Sequence, residues 1–351
     1  MACAGGSAFA GGDRARVATP ASAARHLDVC QAGCAYSNIQ AAVDATDPGG
    51  TITIAAGTHD GSVTIPKDVT LIGAGADLTT VTQSARSVDT IFTPGSGSVI
   101  TITSEASVTI RDITVSGGFE FVCTPTGGIP SCSGDGGGIN NSGTLTLRQS
   151  AVSGNTAERG GGIYNTGTIE LSQSVVSGNQ AVSGGGQGTR GGGIFNAGTM
   201  LLNKSTVNGN SASFGGGISN DLTGTMVLKD STVDGNVSSP TLFLTGGAGI
   251  ENAGTLTLNH STVSNNTSDA FGTGGGIYCS GTVTLNHSTV SGNTAGEGGG
   301  MYNVGTAALA GSAVTGNTAD VDGGGILNSG GTVALNHGNV SGNDPNDLVG
   351  V

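Results

Sequence analysis

The sequence predicts an all-β solenoid: a single right-handed parallel β-helix with a short capping helix at its N-terminal end. Three observations predict it. First, a phrase whose clearest copy is Gly160 to Asn179, GGGIYNTGTIELSQSVVSGN, recurs with its apolar anchor at Ile139, Ile163, Ile194, Ile218, Ile250, Ile277, Met301 and Ile326, at gaps of 24, 31, 24, 32, 27, 24 and 25 residues. Second, each copy repeats a leucine column (Leu147, Leu171, Leu202, Leu228, Leu258, Leu285, Leu309, Leu335) and a valine column (Val152 through Val340), and closes on an asparagine (Asn155 through Asn343). Third, runs such as Thr282-Val283-Thr284-Leu285 alternate apolar and polar residues, which is strand periodicity, and Gly and Asn separate them where the chain must turn. No copy can bury its own apolar face. Three short strands per turn, stacked by parallel pairing at about 4.8 Å per rung, would align the columns into one core and let the asparagines exchange amide hydrogen bonds.

Taken in order, residues 1 to 26 are rich in Ala and Gly and interrupted by Asp13, Arg14 and Arg16, so they are expected to be a disordered or processed segment. Ala21-Ser22-Ala23 resembles a signal-peptidase site. Residues 27 to 351 form one expected domain, with regular repeats over 136–343. Cys30 with Cys34 and Cys123 with Cys132 close short loops and read as disulfides, which implies an oxidising compartment. Cys279 stands where Asn165, Asn196, Asn252 and Asn303 stand in other copies, so it is expected as a buried free thiol. Over Ser37 to Ala45, Ser37 is placed to cap a helix whose Ile39, Ala42 and Val43 share a face that would plug the coil. Runs at 51–54, 57–59, 63–65, 69–73 and 98–117 add further strands. About a dozen rungs, roughly 55 to 60 Å of rod, follow at the parallel-strand spacing. The long insertions, 119–135, 181–190, 237–246 and 267–273, all fall between a GN and the next GGG, on one edge of the coil. In repeat proteins such an edge is often where partners bind.

The phrase GGGI-x-N-x-GT followed by L-x-x-S-x-V-x-GN, over about residues 136 to 343, resembles the repeat of secreted bacterial β-helix proteins of the pectin-lyase-like superfamily. It is also similar to the GGAI-type repeats of polymorphic outer-membrane proteins and related adhesins, although their F-x-x-N is not clearly present. The rungs from Thr51 to Gly73 resemble the opening of pectin methylesterases. The resemblance implies a secreted or surface protein, but one scaffold hosts lyases, hydrolases, esterases, adhesins and tailspikes, so function must come from the site.

Composition narrows the field. With 11 Lys and Arg against 24 Asp and Glu, the formal charge of −13 speaks against nucleic acid. No apolar run approaches the roughly 20 residues of a membrane-spanning helix. A monomer is expected, extracellular or at the cell surface.

The residue after each anchor should face outward. That column reads Asn140, Tyr164, Phe195, Ser219, Glu251, Tyr278, Tyr302 and Leu327, and it holds four of the chain's twelve Phe and Tyr. Tyr164, Phe195, Glu251, Tyr278 and Tyr302 are therefore the candidate contacts for a polysaccharide or cell-surface glycan, whose apolar sugar faces suit aromatic rings. Strand propensity alone also places Tyr and Phe there.

Polysaccharide hydrolases need two carboxylates at a defined separation, and lyases need a base. The candidates are Glu251, Asp221 and Arg190, with Arg159, Glu158, Asp269, Glu297, Asp320 and Asp322 near the strip. No pair is fixed, and the signature sets of polygalacturonases and pectin methylesterases do not occur. The expected activity is therefore binding, with a polysaccharide lyase or glycoside hydrolase as the alternative. No cofactor is expected, apart from calcium if the chain is a lyase.

His260, His287 and His337 share one column, His260 and His287 on adjacent rungs, close enough to share a soft metal. A surface turn occupied by whatever polar residue drifted in accounts for them better, since no third ligand is fixed. Gly186 to Gly191 matches GxGxxG, but the composition alone produces that match in so glycine-rich a chain, and no strand-to-helix context accompanies it. Outward Thr144, Thr168, Thr199, Thr225, Thr255, Thr282, Thr306 and Thr332 suggest an ice-binding or purely structural face. The second column of such an array keeps Thr only at Thr146, Thr257 and Thr284, which breaks its regularity.

Overall fold

The structure, a computed structural model, describes residues 25–83, 97–120, 122–124, 131–183, 188–239 and 246–350. It is a right-handed parallel β-helix with sheets of twelve, eleven, eleven and seven strands. Strands Thr144–Arg148, Thr168–Ser172 and their successors build the twelve-stranded sheet, in which each strand pairs with its equivalent in the next copy. Alternation decides what faces in: Leu145 and Leu147 are buried while Thr144 and Arg148 are exposed. The anchor strands (Ile139–Asn141, Ile163–Asn165 and equivalents) and the valine strands (Ala151–Ser153, Val175–Ser177 and equivalents) build the two eleven-stranded sheets.

The expectation of three strands per turn is corrected. The chain forms a fourth side from short strands that directly follow the asparagine, beginning with Thr156–Ala157, Gln180–Ala181 and Ser211–Ala212. Two residues are too few to show a periodicity, so the sequence hides this side. The glycine triplet that follows is set by close approach. A Cβ on Gly161 would run into the backbone oxygens of Gln180 and Gly192, and one on Gly162 would lie 2.7 Å from Gly193 O.

At the N-terminal end, helix Ile39–Ala45 buries Ile39, Ala42 and Val43 over the first rungs. Its cap is Asn38, whose side chain accepts from the Ala41 N–H at 3.2 Å, in place of the expected Ser37. The leucine file is fully buried from Leu147 to Leu309, whereas Leu335, on the last strand of its sheet, is 43 % exposed. Of the expected disulfides, Cys30–Cys34 is formed. Cys123 and Cys132 stand opposite each other in an antiparallel pair of strands, Val122–Thr124 with Ser131–Ser133, and a bond between them lies outside the described residues. The segment 1–24 also lies outside them.

Two asparagine ladders run inside the corners. In the one that closes each copy, each buried Asn accepts from the backbone and the amide of the preceding Asn, as Asn236 does from Asn210, and donates onward. In the other, Asn141, Asn165, Asn196, Asn220 and Asn252 hand an amide N–H to the next side chain at 2.7–2.8 Å, until Asn252 meets Cys279 Sγ at 3.8 Å. Cys279 is the buried free thiol expected, its pKa pushed up to about 11 by burial. It has no amide to offer the following rung, and the acceptor left over is visible: Asn303 Oδ1 is buried without a hydrogen-bond partner. Asn141 Oδ1, at the ladder's start beside Ile102, is orphaned for the same reason. Cys279→Asn is therefore expected to stabilise the fold by about 1–3 kcal/mol, the penalty of a buried unsatisfied polar group. Urea unfolding checks it; a loss of stability would show that the corner cannot accept the amide.

Candidate functional site

The outer column of the anchor sheet is in register as expected: Asn140, Tyr164, Phe195, Ser219, Glu251, Tyr278, Tyr302 and Leu327 pair in succession. It is not the continuous open strip that alternation alone suggests. Phe195 is 3 % exposed and Glu251 6 %, while Tyr164, Tyr278 and Tyr302 are half-buried. The cover comes from a second column, the residue that precedes each glycine triplet. Asp135, Arg159, Arg190 and Phe214 bridge from rung to rung, and Thr273 bridges Glu297 farther along.

The cover is charged and aromatic. Arg159 grips Asp135 with two parallel hydrogen bonds of 2.8 Å, and its guanidinium lies 5.1 Å from the Tyr164 ring centroid and 5.5 Å from that of Phe195. Tyr164 and Phe195 stack at 5.2 Å. Arg190 lies over Phe214 and reaches Glu251 Oε1 at 2.9 Å, while Ser219 Oγ donates to Glu251 Oε2 at 2.7 Å. Both Glu251 oxygens are thus engaged. Of the three catalytic candidates, Arg190 and Glu251 form one ion pair, and Asp221, which follows strand Ile218–Asn220, acts on Glu251 through its charge. Ser219 was placed in the outer column without a role, and Asp135 and Phe214 escaped the reading of the sequence. Their signal was available in the residue before each GGG, which runs Asp, Arg, Arg, Phe over four successive copies.

Burial raises the Glu251 pKa, Arg190 and the Ser219 hydroxyl pull it back, and Asp221 adds to the rise; the net shift is upward. Glu120 is raised by burial and by Asp135, and Glu158 by burial and Asp135 against Arg159. A carboxyl with a raised folded pKa contributes stability that is full below its ordinary value of 4.5 and lost as pH rises through the folded value. The thermal midpoint is accordingly expected to rise on acidification from neutral pH toward 4.5. Glu251→Gln, which keeps an acceptor for Arg190, should flatten that rise. A midpoint that falls monotonically over this interval would contradict the buried-carboxyl account.

Farther along, the column is half-buried again. Tyr278 and Tyr302 stack on adjacent rungs, with centroids 5.7 Å apart and planes inclined by 13°. Because the rings face each other along the rod axis, they present edges and phenol hydroxyls outward rather than the two open faces expected. Among the described residues, no group of three or more His, Cys, Asp and Glu is placed to hold a metal ion. The described residues also contain no helix long and apolar enough to cross a membrane.

The chain is similar to solved structures of carbohydrate-active enzymes. The pectin methylesterase of Aspergillus niger is 13 % identical, covering 96 % of this chain and 92 % of that one, with a TM-score of 0.43. The alginate lyase from Paenibacillus sp. str. FPU-7 is 12 % identical over 86 % of this chain and 95 % of that one, at 0.47. The carrot pectin methylesterase is 11 % identical over 95 % and 88 %, at 0.41. Likeness at this level carries nothing about activity. No protein-family model and no curated protein matches the chain.

Proposed function

We propose that this chain is a secreted or cell-surface β-helix that binds a polysaccharide along its outer anchor column, at Tyr278 and Tyr302. The observation that carries the reading is the contrast within that column. Phe195 and Glu251 are sealed beneath Arg159 and Arg190, while farther on two half-buried phenols stand in register at rung spacing beside the 267–273 insertion. Two hydroxyls on a rigid ladder suit a repeating, hydroxyl-rich polymer. Binding is favoured over hydrolysis because Glu251, the one carboxylate within the column, is buried under Arg190 and bonded to Arg190 and Ser219. The Cys30–Cys34 disulfide supports an oxidising compartment.

Charge selects the class of polymer. Every Lys and Arg lies at or before Lys229; from Asp230 to the end there are nine Asp and Glu and neither Lys nor Arg. A uronate polymer on Tyr278 and Tyr302 would find the neighbouring Arg190 already paired with Glu251, no Lys or Arg from its own half of the chain, and a field of like sign. The polymer inferred is neutral or carries amino groups.

Affinity electrophoresis through gels containing neutral, amino-bearing and uronate polysaccharides tests this. Retention is expected in one of the first two, weakened by about 1–3 kcal/mol in Tyr278→Ala/Tyr302→Ala. It should be unchanged when Thr255 and Thr282, exposed on the twelve-stranded sheet, are replaced. Loss of retention in the threonine variant alone would place the binding face on the other sheet. Release of reducing ends or unsaturated products from any polymer would replace the binding reading with that of an enzyme.

A further inference from the structure

Outside the anchor column, one corner of the coil gathers metal-binding side chains. From strand Ser107–Arg111 onward, the residue that leaves each strand of the twelve-stranded sheet sits in the left-handed backbone region: Asp112, Gln149, Gln173, Lys204, Asp230, His260, His287, Gly311 and His337, with φ between 48° and 60°. Three of the chain's five histidines fall in this one column, and Gly311 fills the rung between the last two. His260 and His287 are exposed, and their rings stack at 5.3 Å with planes inclined by 9°. Gly311 makes room for this arrangement, because a Cβ there would lie 3.2 Å from His287 Cδ2 and 3.3 Å from Nε2.

We propose that His260 and His287 form a surface site for a divalent first-row transition metal, Cu2+ above Ni2+ and Zn2+. Imidazole suits these ions, and Cu2+ binds a given nitrogen set most tightly. Parallel pairing fixes the two backbones about 4.8 Å apart, and both rings are exposed, so swinging them out of the stack and tilting their planes toward each other brings one nitrogen from each within reach of one ion at about 2.1 Å. Cu2+ accepts two nitrogens side by side and fills its remaining positions with water, so a third protein ligand is not required. His337 is excluded from the set: it stands two rungs beyond His287, about 9.6 Å away, and its Nδ1 is engaged by Asn336 Oδ1 at 2.9 Å.

The test is titration of the full chain with Cu2+ at slightly alkaline pH, read by calorimetry and electron paramagnetic resonance. One ion per chain with coupling to two imidazole nitrogens is expected. His260→Gln and His287→Gln should each lower affinity by about tenfold or more, at least the effect of losing an outer-shell partner. His337→Gln should leave it unchanged, and both rings lie on the surface, so folding is untouched. Wild-type affinity in His260→Gln or His287→Gln, coupling to a single nitrogen, or loss of the ion in His337→Gln would overturn the assignment.

Discussion

Asn236→Ala is expected to cost about 4 kcal/mol of folding free energy, more than a typical core truncation, because its side chain ends four hydrogen bonds in a dry corner. It accepts from Asn210 N and Asn210 Nδ2, each at 3.0 Å, and donates to Val207 O at 3.0 Å and Asn266 Oδ1 at 2.9 Å. Asn236 is fully buried, so alanine strands both Asn210 donors where no solvent reaches, at about 1–3 kcal/mol for each unsatisfied group. Asn236→Asp provides a signature of mechanism. It keeps the shape and the acceptor but sets a carboxylate against Val207 O and Asn266 Oδ1. The variant should be strongly destabilised at neutral pH and should recover part of its stability as acidification protonates the carboxyl. Urea unfolding at two pH values decides it. A loss below about 1 kcal/mol for Asn236→Ala would mean that the ladder is not a principal source of stability.

Leu258→Ala should cost about 2–5 kcal/mol, the range for deleting a large side chain from a core that collapses only in part. Leu258 is fully buried between Leu228 and Leu285, its register partners on either side. Rigid sheet pairing on both sides keeps the rungs from closing the gap. Leu335→Ala, in the same column but 43 % exposed, should cost less than half as much. Equal losses at the two positions would contradict the buried file.

The columns were legible because every copy repeats the same constraint. A parallel stack sets the same surroundings for each inward place on every rung, so leucine, valine and asparagine recur in three columns, while the column Leu145, Ile169, Met200, Met226, Leu256, Val283 and Ala307 keeps only its apolar character. The vacancy that Cys279 leaves in its ladder could also be read, since its register partners Asn252 and Asn303 are both asparagine. Less could be read where the structure departs from alternation. The fourth side begins with strands of two residues, such as Thr156–Ala157, too short to carry a period. The anchor column alternates outward as expected, yet Phe195 and Glu251 are covered by Arg159, Arg190 and Ser219, which come from other rungs. Outward on a strand is not the same as open to solvent, and only tertiary packing decides between them. The orientation of Tyr278 and Tyr302 was hidden for a related reason, because residues in register stack face to face and turn their edges outward.

The central claim is that the outer anchor column is sealed at Phe195 and Glu251 and open to a polysaccharide at Tyr278 and Tyr302. Hydroxyl-radical footprinting with mass spectrometry, with and without the polymer that retains the protein, tests it most directly. Tyr278 and Tyr302 should be modified in the free protein and protected by the polymer, while Phe195 stays unmodified throughout. Modification of Phe195 in the folded free protein, or protection that falls elsewhere and leaves both tyrosines unchanged, would contradict the account.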